Sequence, residues 1–164
     1  MFTSDKEKAV RYADKLTETA FLCLAASVFC ILFGAIYEVF SHGVYSFYMI
    51  YAFAVPLVLG AVPFLAAALS AKRQKDGSLF RLPGTLSIHT WNAGIAALTV
   101  GCIFQGVLRI YGTTNRLVIV YPVVGVILLL IGLVSYIMSC KTAERMFRRQ
   151  MEKEQTKEEK ILNV

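Results

Sequence analysis

Four long apolar runs divide the chain, over residues 19–40, 45–71, 91–110 and 117–139. A hydrocarbon core about 30 Å thick is crossed by about 20 apolar residues in a helix, and each run reaches that length. The pattern predicts an all-α polytopic membrane protein, a four-transmembrane-helix bundle spanning residues 19–139. Residues 1–18 read as a cytoplasmic or interfacial helix, because Ser4 and Glu7 form a capping-box pair ahead of the first run. That segment is too long and too mixed for a secretory leader, so the first span is expected to be retained. Residues 72–90 read as a cytoplasmic loop, with turn signals at Asp76-Gly77 and Pro83-Gly84. Residues 140–164 form a charged tail, expected to continue as a helix because Glu144 and Arg148 share a face.

The runs pair into two similar helical hairpins. Phe33-Gly-Ala-Ile-Tyr-Glu-Val-Phe40 lies against Phe104-Gln-Gly-Val-Leu-Arg-Ile-Tyr111. This correspondence puts Glu38 and Arg109 at equal depth in helices one and three, and reads as a parallel internal repeat. Lipid gives helices no hydrophobic reason to associate, so small residues should mark the contacts. Ala26, Cys30 and Gly34 form one such stripe; Ala93, Ala97 and Gly101 form another, which continues into Gln105 and Arg109. Pro56, Pro63 and Pro122 are expected to kink the second and fourth helices.

Charge adds an orientation. Of 17 Lys and Arg residues, all but Arg109 and Arg116 fall in residues 1–18, in the middle loop or in the tail. By the positive-inside rule both termini are cytoplasmic, and a plasma-membrane location is expected. Tyr37, Phe40, Tyr45, Phe47, Tyr48, Tyr51, Tyr111 and Tyr121 gather near the outer ends as an aromatic belt, with Trp91 at the inner start of the third helix. The net charge of +6 is thereby explained by the membrane. No nucleic-acid partner is indicated, since the basic residues flank apolar spans rather than lining an aromatic-and-basic face. A stretch such as Arg145 to Arg149 would also sit well on anionic lipid heads. With 57% hydrophobic residues and a mean hydropathy of +0.59, the chain exceeds the roughly 45–50% apolar content of soluble domains.

Little conventional chemistry is present. The four cysteines, Cys23, Cys30, Cys102 and Cys140, form no C-x-x-C pair, and their expected role is small apolar packing. His42 and His89 belong to opposite faces, so neither a haem nor a metal site is expected, and no cofactor is implied. The P-loop, G-x-S-x-G, H-E-x-x-H and dinucleotide signatures are absent, which argues against an enzyme and leaves no catalytic residue to name.

Ten of the 11 acidic residues avoid the apolar runs; Glu38 does not. An ionisable group inside a span is costly unless paired or solvated, so its surroundings are the first place to look for function. Glu38, Arg109 and Gln105, with Ser41, His42, Tyr37 and Tyr111 nearby and Thr113, Thr114 and Asn115 in the matching turn, are expected to outline a polar pocket opening to the outer face between helices 1 and 3. Two functions fit. One is binding or transport of a small ligand or ion through that pocket. The other is a non-catalytic accessory or assembly subunit in which Glu38 and Arg109 form a structural salt bridge. Beyond the lipid bilayer, the expected partners are further copies of the chain or a larger membrane protein.

Overall fold

A computed structural model describes residues 2–41, 44–73 and 84–162. Every element in it is helical: α1 (Phe2–Phe40), α2 (Phe47–Ile50), α3 (Ala54–Pro56), a π-helical turn (Leu57–Ala61), α4 (Val62–Arg73), α5 (Thr85–Ile110), a 3-10 turn (Arg116–Ile119) and α6 (Val120–Leu162). Four stretches are long and apolar enough to cross a membrane: Val10–Phe40, Phe47–Lys72, Thr85–Ile110 and Arg116–Thr142. These match the four apolar runs, except that the first begins at Val10 rather than residue 19, and α5 begins at Thr85 rather than Trp91 and so takes in the end of the expected loop. The tail is helical as far as Leu162, as the charge spacing predicts. His42 and the turn signal at Asp76-Gly77 lie outside the described residues.

Two ends of the bundle can be told apart. At one, Lys72 Nζ lies 3.5 Å from Asp14 Oδ1, joining the end of the second span to the start of the first. Here too Gly84, which opens α5, approaches Ser139 of the fourth span. The other end carries the short connections 41–46 and 111–115, and is called the turn end below.

The inner face of α1 is a single seam: Ala13, Leu16, Ala20, Cys23, Ser27, Cys30 and Gly34 are buried, in alternating steps of three and four. That is the 3.5-residue repeat of helices packed at a shallow left-handed angle. Its partner is the second span, where Ala61, Phe64, Ala68 and Ala71 repeat the spacing. Small residues dominate both sides and let the backbones close. A Cβ on Gly60 would stand 2.6 Å from Cys23 Sγ. The expected stripe is therefore corrected: Cys30 and Gly34 belong to it, but Ala26 is exposed. Steps of four advance about 400° and drift around the helix, whereas a contact line with a nearly parallel partner must alternate threes and fours.

The stripe expected on the third helix needs the same correction. Ala93 is exposed, and the contact face of α5 runs through Ser87, Gly94 and Gly101, seven residues apart. It meets α6 at Gly125 and Gly132, which keep the same interval. A Cβ on Gly94 would lie 3.0 Å from Gly125 O, and Ser87 Oγ donates to Gly132 O at 2.8 Å. Each small-residue stripe thus closes its own hairpin instead of joining helix 1 to helix 3.

What joins the hairpins is the irregular second span. Pro63 has no N–H, so Leu59 O loses the donor that a regular helix would supply from four residues on. Trp91 Nε1 of α5 replaces it at 2.8 Å. A few residues earlier, the turn at Tyr51–Phe53 leaves Phe53 O accessible, and Ser27 Oγ of α1 donates to it at 2.8 Å. Pro56 and Pro63 therefore disturb the second span as expected. Pro122 does not kink the fourth: it lies in the first turn of α6, where no backbone donor is needed.

Trp91→Phe should cost about 1–2 kcal/mol in reversible unfolding from detergent, because it strands a half-buried carbonyl within a span. In a Pro63→Ala background, which restores the local donor, the same change should cost clearly less. Equal costs in the two backgrounds would refute this account of the bond.

Candidate functional site

At the turn end, Met49 of α2 is wedged between the hairpins. A Cβ on Gly34 would lie 3.4 Å from Met49 O, and one on Gly106 of α5 would lie 3.0 Å from Met49 Cβ and 3.1 Å from its N. On the α5 side a Cβ would press on the Met49 backbone, whereas on the α1 side it would make ordinary contact; Met49 is 2% exposed. Its presence decides the geometry of the expected site. Glu38 lies one turn beyond Gly34 on α1, and Arg109 three residues beyond Gly106 on α5.

The salt bridge between Glu38 and Arg109 is therefore not formed. Arg109 is exposed, and its guanidinium carbon lies over the Tyr48 ring, 4.9 Å from the centroid. Glu38 is half-buried, and its Oε1 has no hydrogen-bond partner among the described residues. Ser41 is taken up by its own turn, with Oγ 2.8 Å from both Glu38 O and Val44 O. Tyr37 and Tyr111 do meet, sharing a side-chain hydrogen bond across the hairpins. Of these expected residues, then, the tyrosines come together; Glu38 and Arg109 do not pair, and His42 is not described. Ser46 Oγ, at 2% exposure for the residue, is a second buried group without a partner in this hairpin.

Gln105 lies elsewhere, in a groove of about 620 Å³. Its mouth is polar, formed by Tyr48, Gln105, Thr114, Asn115 and Arg116, and its floor comprises Leu98, Gly101, Cys102, Val118, Ile119 and Pro122. The groove has a structural cause. Gly101 packs against Tyr121 and Pro122 at the very start of α6. From there α5 continues to Ile110, about 13 Å further at 1.5 Å per residue, with no helix of the fourth span beside it. Only the extended residues 113–115 and the 3-10 turn cover this length, and they leave a space. Asn115 fixes that cover by accepting Leu117 N–H at Oδ1, 3.0 Å away.

Gln105 makes no hydrogen bond to another described residue, although it is half-buried on a membrane-spanning helix. Its amide offers two donors and an acceptor to whatever enters the groove. Sequence reasoning found Gln105, Thr114 and Asn115 but missed Arg116 and the apolar floor. The available signal was Asn115 as a cap, which marks the turn that folds Arg116 back beside α5. Among the described residues no group of His, Cys, Asp and Glu is arranged to hold a metal.

Comparisons with protein-family models, with curated proteins and with solved structures return no match for this chain.

The absence of an ion pair has a measurable consequence. Arg109→Gln should cost about 0.5–1 kcal/mol through loss of the Tyr48 contact. Glu38→Gln should be neutral or slightly stabilising, and the double variant should equal the sum within about 0.5 kcal/mol. A coupling well above that in a double-mutant cycle would restore the salt bridge.

Proposed function

We propose that this integral membrane protein binds a small ligand in the groove beside α5, entered from the turn end. The observation that carries the reading is Gln105, a half-buried amide without a described partner, facing a space of about 620 Å³. That volume lies within the roughly 300–1,000 Å³ of typical ligand sites, and an apolar floor with a few polar groups is their usual composition. An amide held unpaired at membrane depth is unfavourable unless something satisfies it. With the positive-inside count, the groove opens to the outer face of the membrane. The salt bridge between Glu38 and Arg109 that accompanied the accessory-subunit reading is not formed, and the groove favours the ligand reading.

Cys102 gives a direct test. It lines the groove, whereas Cys23 and Cys30 are buried in the α1 seam and Cys140 sits at the opposite end. In a Cys140→Ser background, a small membrane-impermeant methanethiosulfonate added outside intact cells should modify Cys102. Gln105→Trp, which fills the mouth, should slow that reaction by at least about tenfold. No modification from outside, or a rate indifferent to the tryptophan, would rule out an open groove on that face.

A further inference from the structure

The groove has a sign as well as a shape. Arg109 and Arg116 are the two basic residues outside the terminal segments and the middle loop, and both stand at its mouth or against Tyr48, which lines it. Glu38, the acid nearest this end in sequence, extends from α1 and is not part of the lining. The remaining polar groups at the mouth lean toward donation. Asn115 accepts Leu117 N–H at its carbonyl oxygen, which orients the side chain and leaves its amide nitrogen free to donate to a ligand. Thr114 and Tyr48 add hydroxyls, and Gln105 adds a second amide. Donors and a guanidinium grouped in this way suit anionic oxygens, with the planar fork of arginine matched to phosphate.

Below the mouth the chemistry reverses. Leu98, Val118, Ile119 and Pro122 offer a ligand no hydrogen bond from their side chains, so whatever lies there is hydrocarbon. A free inorganic anion would leave that floor unoccupied by anything it prefers to water. A wholly apolar molecule would leave Gln105 and Arg116 unsatisfied. The arrangement asks for one molecule with an anionic head and an apolar chain, positioned with its head at the boundary of the membrane.

Resting on the reading of the groove as a ligand site, we infer that its occupant is an anionic membrane lipid. Its phosphate meets Arg116 and the amides of Gln105 and Asn115, and one acyl chain lies along the floor. Arg109 keeps Tyr48 in place at the mouth through the contact of its guanidinium with the ring.

The test uses the full-length Cys140→Ser protein in nanodiscs and follows alkylation of Cys102 by an uncharged maleimide, so that lipid charge does not alter the reagent concentration. Replacing part of the phosphatidylcholine with phosphatidylglycerol should slow alkylation about tenfold, and Arg116→Gln should abolish that protection while Arg116→Lys retains part of it. Inorganic phosphate in phosphatidylcholine alone should give none. If Cys102 reacts readily yet phosphatidylglycerol gives no protection, the lipid assignment fails and the groove stands. Equal protection in the Arg116→Gln protein, or protection by phosphate alone, also overturns it. If Cys102 cannot be alkylated even in pure phosphatidylcholine, the groove itself is closed and both readings fall.

Discussion

A backbone carbonyl inside a bilayer has no water to accept from, and the bundle is organised around meeting that demand where its second span is broken. An unsatisfied group at that depth costs several kcal/mol, which exceeds what most pairs of apolar side chains gain by touching in lipid. Pro63 creates such a group in a span that contacts both of its neighbours, and near the turn at Tyr51–Phe53 the Phe53 carbonyl, which already accepts Leu57 N–H, takes a second donor. The donors that answer them, Ser27 and Trp91, come from different helices. A defect in one helix thus becomes the attachment point for two others. Because these bonds are directional, they fix rotation and depth in a way that smooth packing cannot.

The small residues act after that placement. In α1 and the second span, alanine, cysteine, serine and glycine let two backbones come close over several turns. In α5 and α6, glycines seven residues apart do the same. Each seam closes a hairpin; neither reaches across. The irregular span can bridge them because it is thin where they meet: a Cβ on Gly60 would run into Cys23 of α1 and reach Ile95 of α5. Closer to the turn end Met49 repeats the role, held between Gly34 and Gly106. The groove then follows from a mismatch of lengths. α5 outlasts the helix that packs against it, and a short non-helical cover leaves space around Gln105.

The spans were legible in the sequence because hydrocarbon imposes a minimum length and because charge is confined to the connections. Helix pairing was less so. Ala26, Cys30 and Gly34 look like a stripe when counted in fours, yet the buried line passes through Ser27 and Cys23, and the difference between a period of 4 and one of 3.5 becomes visible only when the partner helix is known. The site was legible in part. Gln105 stood out as an uncharged polar group within a span, and the structure places it in the lining of a groove. Its surroundings were misjudged because the resemblance between the hairpins put Glu38 beside Arg109. Nothing in either motif reveals that Met49, from a third element, occupies the space between them.

That separation also makes energetic sense. Bringing a carboxylate and a guanidinium together inside the bundle would desolvate both, and such a pair repays the loss only with excellent geometry and further hydrogen bonds. Glu38 has one oxygen already buried and no second donor to complete a network. Arg109, one residue from the end of α5, can instead remain exposed and spread its charge over the face of Tyr48 at little desolvation cost. The arginine is thereby kept at the surface, on the hairpin that carries the groove, and is not neutralised by the acid on the other hairpin. A clamp between Glu38 and Arg109 would have cancelled the positive character of this end. Its absence leaves that positive charge on the hairpin of the groove, whose floor is lined by Leu98, Val118, Ile119 and Pro122.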